Sequence, residues 1–169
     1  MIIRIKETLL IIKKANREDL KPLLPLYEKS RQLMKEAGNA SQWGDGYPSE
    51  ERLMMDLAQE SLYKVLVNDQ IIGGFMFGLG PEEEYKSLEG SWLNESPYFV
   101  IHRITAPEAK GVTREIFAWA KKQTDNLRID THKDNMIMRH ILEREGFTYV
   151  GEITLADGSR RMAYHRTSS

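Results

Sequence analysis

Residues 97–131 read Pro97-Tyr-Phe-Val-Ile-His-Arg-Ile104, then Thr105-Ala-Pro-Glu-Ala-Lys-Gly111, then Val112-Thr-Arg-Glu-Ile-Phe-Ala-Trp-Ala-Lys-Lys-Gln-Thr-Asp-Asn126, then Leu127-Arg-Ile-Asp-Thr131. The first run is short, aromatic and β-branched, which predicts a strand. The third places Ile116, Phe117 and Ala120 at helical spacing and predicts a helix over 112–126. The last is again a strand. Two strands joined by one crossover helix must lie parallel, and right-handedness puts that helix back on the sheet. This is the stretch that demands a parallel pair. Every other connection fits antiparallel neighbours, so the sheet is mixed.

Upstream, Leu9–Asn16 predicts a first strand that stops at a helix cap, with Asp19 three residues on as the capping-box partner. From Arg17 to about Gly38, Leu20, Leu23, Leu24, Tyr27, Leu33 and Met34 recur with helical period, while Pro22 and Pro25 delay or kink the early turns. Asn39–Pro48 is a loop by composition, and Ser49 caps a helix over Glu50–Glu60 with Leu53, Met54 and Leu57 facing the core. Leu62–Val67 and Ile71–Phe77 form a hairpin around Asn68–Gln70. Gly80–Trp92 is an acidic excursion containing Glu82, Glu83, Glu84 and Glu89. Downstream, Asn135–Glu145 is a helix closed by Gly146, and Phe147–Leu155 pairs with Arg161–His165. The expected fold is α/β (α+β mixed): a mixed central sheet of about seven strands with helices on both faces, one domain over residues 1–169.

Composition narrows the function. At 41% apolar and 29% charged, the 169-residue chain has the make-up of a globular domain, which excludes disordered and collagen-like classes. The absence of cysteine removes disulfides, thiolate metal sites and a cysteine nucleophile. Twenty-four basic residues against twenty-five acidic ones leave no basic excess for nucleic acid. No apolar run reaches the roughly 18 residues of a membrane span. At the N-terminus, Arg4, Lys6 and Glu7 leave only Leu9–Ile12 apolar, too short for a signal peptide. A cytoplasmic protein is expected, monomeric or homodimeric, without nucleic-acid or membrane partners. His102, His132, His140 and His165 show no ligand spacing, so no metal site is expected.

The loop Thr105–Arg114 joins a strand end to a helix start, where free N–H groups and the helix dipole suit an anion such as a phosphate. Gly111 permits close approach of a ligand or simply makes the turn, and Lys110 and Arg114 add positive charge. With Tyr98–Ile104, Lys110–Ala120, Leu127–Asn135 and the closing Glu145-Gly-Phe147, the chain resembles the GNAT superfamily of acyl-CoA-dependent N-acetyltransferases over nearly all of residues 10–166. Asn135 followed eleven and twelve residues later by Gly146 and Phe147 is a closing motif of that superfamily. Gln42-Trp43, Tyr47-Pro48 and Trp92 also resemble a bacterial subgroup of it.

The resemblance implies acetyl-CoA lying between splayed strands at 98–104 and 127–131. Its pyrophosphate would rest on the amides of Gly111, Val112, Thr113 and Arg114 beside Lys110. The pantetheine would run along the strand end at Ile104 and Thr105, and Asn135 would meet the cofactor arm. Two departures stand out. The phosphate loop carries Glu108 where the family has Arg or Gln and Thr113 where it has a small residue, and it is shorter. Leu142 stands where many members carry the tyrosine that protonates the leaving thiolate.

Tyr149 and Tyr164 on the last hairpin are the substitute acids, or ordinary sheet tyrosines. His102 is the candidate base or a structural histidine; alternation puts it on one face with Tyr98 and Val100, opposite Arg103. Arg103 and Asp130 are expected to pair across strands. Trp43, Tyr47 and Trp92 are the candidate acceptor pocket, or a lid over the core, and Glu82–Glu84 either attracts a cationic amine or is a solvated face. The implied activity is acetyl transfer from acetyl-CoA to a primary amine of a small molecule, amino acid or peptide. The competing reading is a catalytically degenerate acyl-CoA-binding or interaction module of the same fold.

Overall fold

A computed structural model describes residues 9–168, so the N-terminal charges Arg4, Lys6 and Glu7 lie outside the described residues. In chain order the elements are β1 (Leu10–Lys14), α1 (Leu20–Glu36), α2 (Glu50–Ala58), β2 (Leu62–Val67), β3 (Gln70–Leu79), β4 (Glu89–Gly90), β5 (Phe99–Thr105), α3 (Val112–Gln123), β6 (Asn126–Thr131), α4 (Met136–Arg144), β7 (Thr148–Thr154) and β8 (Arg160–Thr167). The strands form one sheet in the order β1-β2-β3-β5-β6-β8-β7-β4. Among the described residues only the β5–β6 pair is parallel, as its crossover through α3 requires. Among the described residues, no helix is long and apolar enough to cross a membrane.

Local chemistry sets the boundaries. Asn16 and Asp19 make the capping box, each side chain accepting the other's amide at 3.3 and 2.8 Å. A 3-10 turn over Arg17–Asp19 precedes α1, so the helix begins at Leu20, three residues later than the apolar pattern alone suggests. Pro22 then sits in its first turn, where a missing N–H costs nothing. Ser49 caps α2 by accepting from the Arg52 amide at 3.1 Å.

The helices cover both faces. Ile116, Phe117 and Ala120 of α3 and Leu142 of α4 are fully buried against Ile101, Leu127 and Ile129. Leu20, Leu23 and Tyr27 of α1 and Leu53 of α2 close the opposite face over Leu62.

The sheet has eight strands rather than seven because two residues of the acidic excursion, which otherwise makes a 3-10 turn at Glu83–Ser87, add β4 to β7. Gly90 faces Gly151 there with φ of +149° and +140°, and a Cβ on Gly151 would stand 2.2 Å from the Glu89 carbonyl oxygen. Only a pair of glycines lets the two backbones meet.

Two irregularities open the sheet. Between β3 and β5, Met76 pairs with His102 and Gly74 with Thr105, so Arg103 and Ile104 stand opposite Phe75 alone. This bulge puts Arg103 at φ +52°, and the Tyr27 hydroxyl donates to its carbonyl at 2.7 Å. Between β5 and β6, pairing is confined to Phe99 with Leu127 and Val100 with Arg128, after which the parallel strands part.

The bulge corrects the strand alternation. His102 does share a face with Tyr98 and Val100, toward Tyr85. Arg103 is not opposite it: the extra residue turns its side chain to the same side, where it meets Asp56 of α2. The expected Arg103–Asp130 pair is therefore absent. Arg103 holds Asp56 through Nε and Nη2 at 2.7 and 2.8 Å, while Asp130 accepts the Tyr85 hydroxyl at 2.8 Å.

Candidate functional site

A cavity of about 880 Å³ lies where β5 and β6 part, walled by Ile101–Ile104 of one strand and Ile129–Thr131 of the other. Strand residues that leave a ladder keep N–H and C=O groups in need of partners, so such a cleft is lined by backbone hydrogen-bonding groups. The loop 39–47 and α1 form the facing wall.

On β5, His102 Nε2 is 2.9 Å from Glu82 Oε1, and its Nδ1 is 3.8 Å from Asp130 Oδ2. Burial opposes a charge on this ring, but the Glu82 hydrogen bond and the two carboxylate charges outweigh it and raise the His102 pKa above the usual histidine value. Burial likewise pushes Glu82 up, yet His102, helped by Arg103 and Arg52, holds it below the ordinary carboxylate range. The ring is thus held toward its protonated form.

Beside it, the fully buried Asp56 is gripped bidentately by Arg103 and approached at 3.5 Å by Arg52, one turn earlier on α2. Arg103 Nη1 donates to the Tyr47 hydroxyl oxygen at 2.8 Å, which fixes Tyr47 at the cavity wall. Trp43 packs beneath, 6.0 Å from the Tyr27 ring and 6.4 Å from that of Tyr47. Both Trp43 and Tyr47 line the cavity, whereas Trp92 does not. Trp92 stacks over the Arg128 guanidinium at 4.1 Å, with Tyr98 on the other side at 3.9 Å, and meets His165 edge-on. It donates from Nε1 to the Tyr85 carbonyl oxygen at 3.1 Å and lines a separate cavity with Tyr85, Tyr98 and Arg128.

Asn135 caps α4, its Oδ1 accepting from Met138 N at 3.0 Å, and its amide nitrogen donates to Gln42 Oε1 at 3.2 Å. That oxygen also accepts from Asn39 Nδ2, Thr131 Oγ1 and His132 N at 3.1–3.3 Å. Gln42 thereby ties the loop to the end of β6 and the start of α4. Sequence reasoning passed over this role; a lone polar residue before a loop tryptophan was the available signal.

At the other strand end, Gly111 caps α3 at φ +87°, a left-handed conformation that favours glycine. The first amides of α3, including those of Thr113 and Arg114, have no acceptor within the helix. Val112 is fully buried beneath them. Glu108, Lys110 and Arg114 are exposed, and their side chains make no hydrogen bond or ion pair among the described residues, while the Lys110 backbone forms an isolated β-bridge. The cavity lining reaches Ile104 and Pro107 but not this helix start. Thr105 pairs with Gly74, and its hydroxyl is taken up by Leu26 O and Ser30 Oγ on α1.

The tyrosines of the last hairpin are elsewhere. Tyr164 is buried in the core under α3 and α4, and Tyr149 is half-exposed beside it, their rings 5.7 Å apart. Leu142 is fully buried.

No protein-family model matches the chain, and no curated protein matches it. Solved structures do. A GNAT-family acetyltransferase from Streptococcus agalactiae is 25% identical over 95% of this chain and 96% of that one, with a TM-score of 0.86. A GNAT-family acetyltransferase from Listeria monocytogenes is 16% identical over 94% of each chain, with a TM-score of 0.71. An aminoglycoside acetyltransferase in complex with coenzyme A and kanamycin is 21% identical over 95% of each, with a TM-score of 0.61. The eight-stranded mixed sheet, opened at its one parallel pair, has the architecture of that acetyltransferase class. The chain has the fold of the GNAT-family acetyltransferases.

Proposed function

We propose that the chain is an N-acetyltransferase that moves an acetyl group from acetyl-CoA to a primary amine of a small molecule, amino acid or peptide. The observation that carries this reading is the parting of β5 and β6 after two paired positions, which exposes unpaired strand backbone to a cavity of about 880 Å³. The thiol ester supplies an activated acetyl group. The chain's residues fit it: strand backbone at Ile104 to align a linear amide-bearing arm, a glycine-capped helix start for its phosphates, and an Asn135 amide at the far wall.

The chemistry then needs a neutral amine, an oxyanion donor and a departing thiolate. His102 in its unprotonated form takes the proton from the ammonium, with Glu82 and Asp130 stabilising the imidazolium formed. A strand N–H near Ile104 or Thr105 donates to the developing oxyanion. As the amine N–C bond forms, the C–S bond breaks; a thiol of pKa about 8.5 leaves as thiolate without a dedicated acid and takes up the second proton that the amine nitrogen sheds on becoming an amide.

Calorimetry with acetyl-CoA, followed by an amine panel read by free thiol, tests this. Saturable binding and amine-dependent thiol release are expected, and Gly111→Asp weakens binding at least tenfold by adding bulk and negative charge. No binding to the wild type overturns the reading. Binding with no thiol from any amine supports the alternative, a non-catalytic acyl-CoA module, which is favoured by Leu142 and by the position of Tyr149 and Tyr164 outside the cavity.

A further inference from the structure

The two ends of the cavity carry opposite local charge. At one end two guanidiniums share one carboxylate: Asp56 is claimed bidentately by Arg103, and Arg52 reaches it only at 3.5 Å. The spare positive charge therefore resides on Arg52, whose side chain is one-third exposed at the cavity wall and whose buried Nε has no acceptor among the described residues. Next to it, the Tyr47 hydroxyl oxygen is occupied as an acceptor by Arg103, which leaves its own proton for an acceptor in the cavity.

At the other end Glu82 and Asp130 flank a single imidazole. Even with His102 protonated, two anions against one cation leave one negative charge. The ends neighbour one another, since both Arg52 and Arg103 act on the Glu82 carboxyl, so with His102 protonated the six groups are neutral together and the site is a dipole, positive at Arg52 and negative at Glu82 and Asp130.

We propose that the amine acceptor is a small zwitterion of the amino-acid class, its carboxylate docked on Arg52 and the Tyr47 hydroxyl and its ammonium held by Glu82 and Asp130 beside His102. This rests on the acetyl-transfer reading above. A polyamine or other purely cationic amine leaves Arg52 unmatched, and a peptide amino terminus places a neutral amide where Arg52 asks for an anion. A partly desolvated charge left without its partner is costly, so the mismatch discriminates between acceptors.

The experiment compares matched acceptors: a free amino acid, its carboxamide and its decarboxylated amine, each with acetyl-CoA and thiol detection. The amino acid is expected to show kcat/KM at least tenfold above both analogues. Arg52→Gln should erase that preference by raising KM for the amino acid at least tenfold. Should that variant fail to fold, Tyr47→Phe should narrow the preference several-fold through KM. Equal use of the three acceptors, turnover of no amino acid, or a preference that survives Arg52→Gln overturns the proposal. Calorimetry of acetyl-CoA alone separates the two levels: no cofactor binding sinks the acetyl-transfer reading, whereas binding with indifferent acceptor choice sinks only this one.

Discussion

Asn135 divides one amide between two jobs, and substitutions separate them. As a cap its oxygen serves the Met138 amide, so Asn135→Ala is expected to cost about 1 kcal/mol in urea melts. A cap alone would tolerate Asn135→Asp. Here the amide nitrogen feeds Gln42 Oε1, an acceptor that cannot flip without abandoning Thr131, His132 and Asn39. Asn135→Asp sets a carboxylate against it and should lower the melting temperature at least as much as Asn135→Ala, with the extra loss disappearing in a Gln42→Ala background. If Asn135 also contacts the cofactor, both variants show a smaller acetyl-CoA-induced shift than wild type. His102 makes a second residue-level prediction. A base held protonated by Glu82 and Asp130 works only above its raised pKa, so kcat/KM should climb with pH through that value, and His102→Gln should lose the climb.

At the scale of elements, α2 is bound to the bulge of β5 by one buried ion pair. Asp56→Asn leaves Arg103 inside the protein without its counter-charge, and a loss of about 3 kcal/mol or more is expected in denaturant titration, while Glu50→Gln on the exposed start of the same helix should change little. The elements themselves were legible because their apolar residues repeat at 2 or 3.6 positions over five or more residues. β4 was not, because two residues carry no period and its register rests on Gly90 meeting Gly151. The partner of Arg103 was misread for a related reason. Alternation assumes one residue per step, and the bulge at Arg103 inserts a second with nothing unusual in its side chain to announce it.

Across the whole molecule, two histidines pull stability in opposite directions with pH. His165 accepts the Leu93 amide on Nδ1, so its Nε2 carries the proton to Asn126, and burial with Arg128 nearby lowers its pKa to about 4. The unfolded chain takes up that proton first, so stability falls as pH drops from about 6.5 toward 4, by ~3 kcal/mol in full. His165→Asn should flatten this acid limb of the melting profile. His102, raised in the fold, adds stability that is complete below about 6.5 and is lost as pH rises through its folded value. The parallel unit, the crossover and the Asn135 position were readable along the chain because each is local. The charged ends of the cavity were not, since Arg103 finds Asp56 across 47 positions and Asn135 finds Gln42 across 93. The bulge has a last consequence, in heredity rather than geometry. Two residues of β5 face one of β3, so an in-frame loss of a single codon at Ile104 would heal the ladder while erasing the mouth of the cavity.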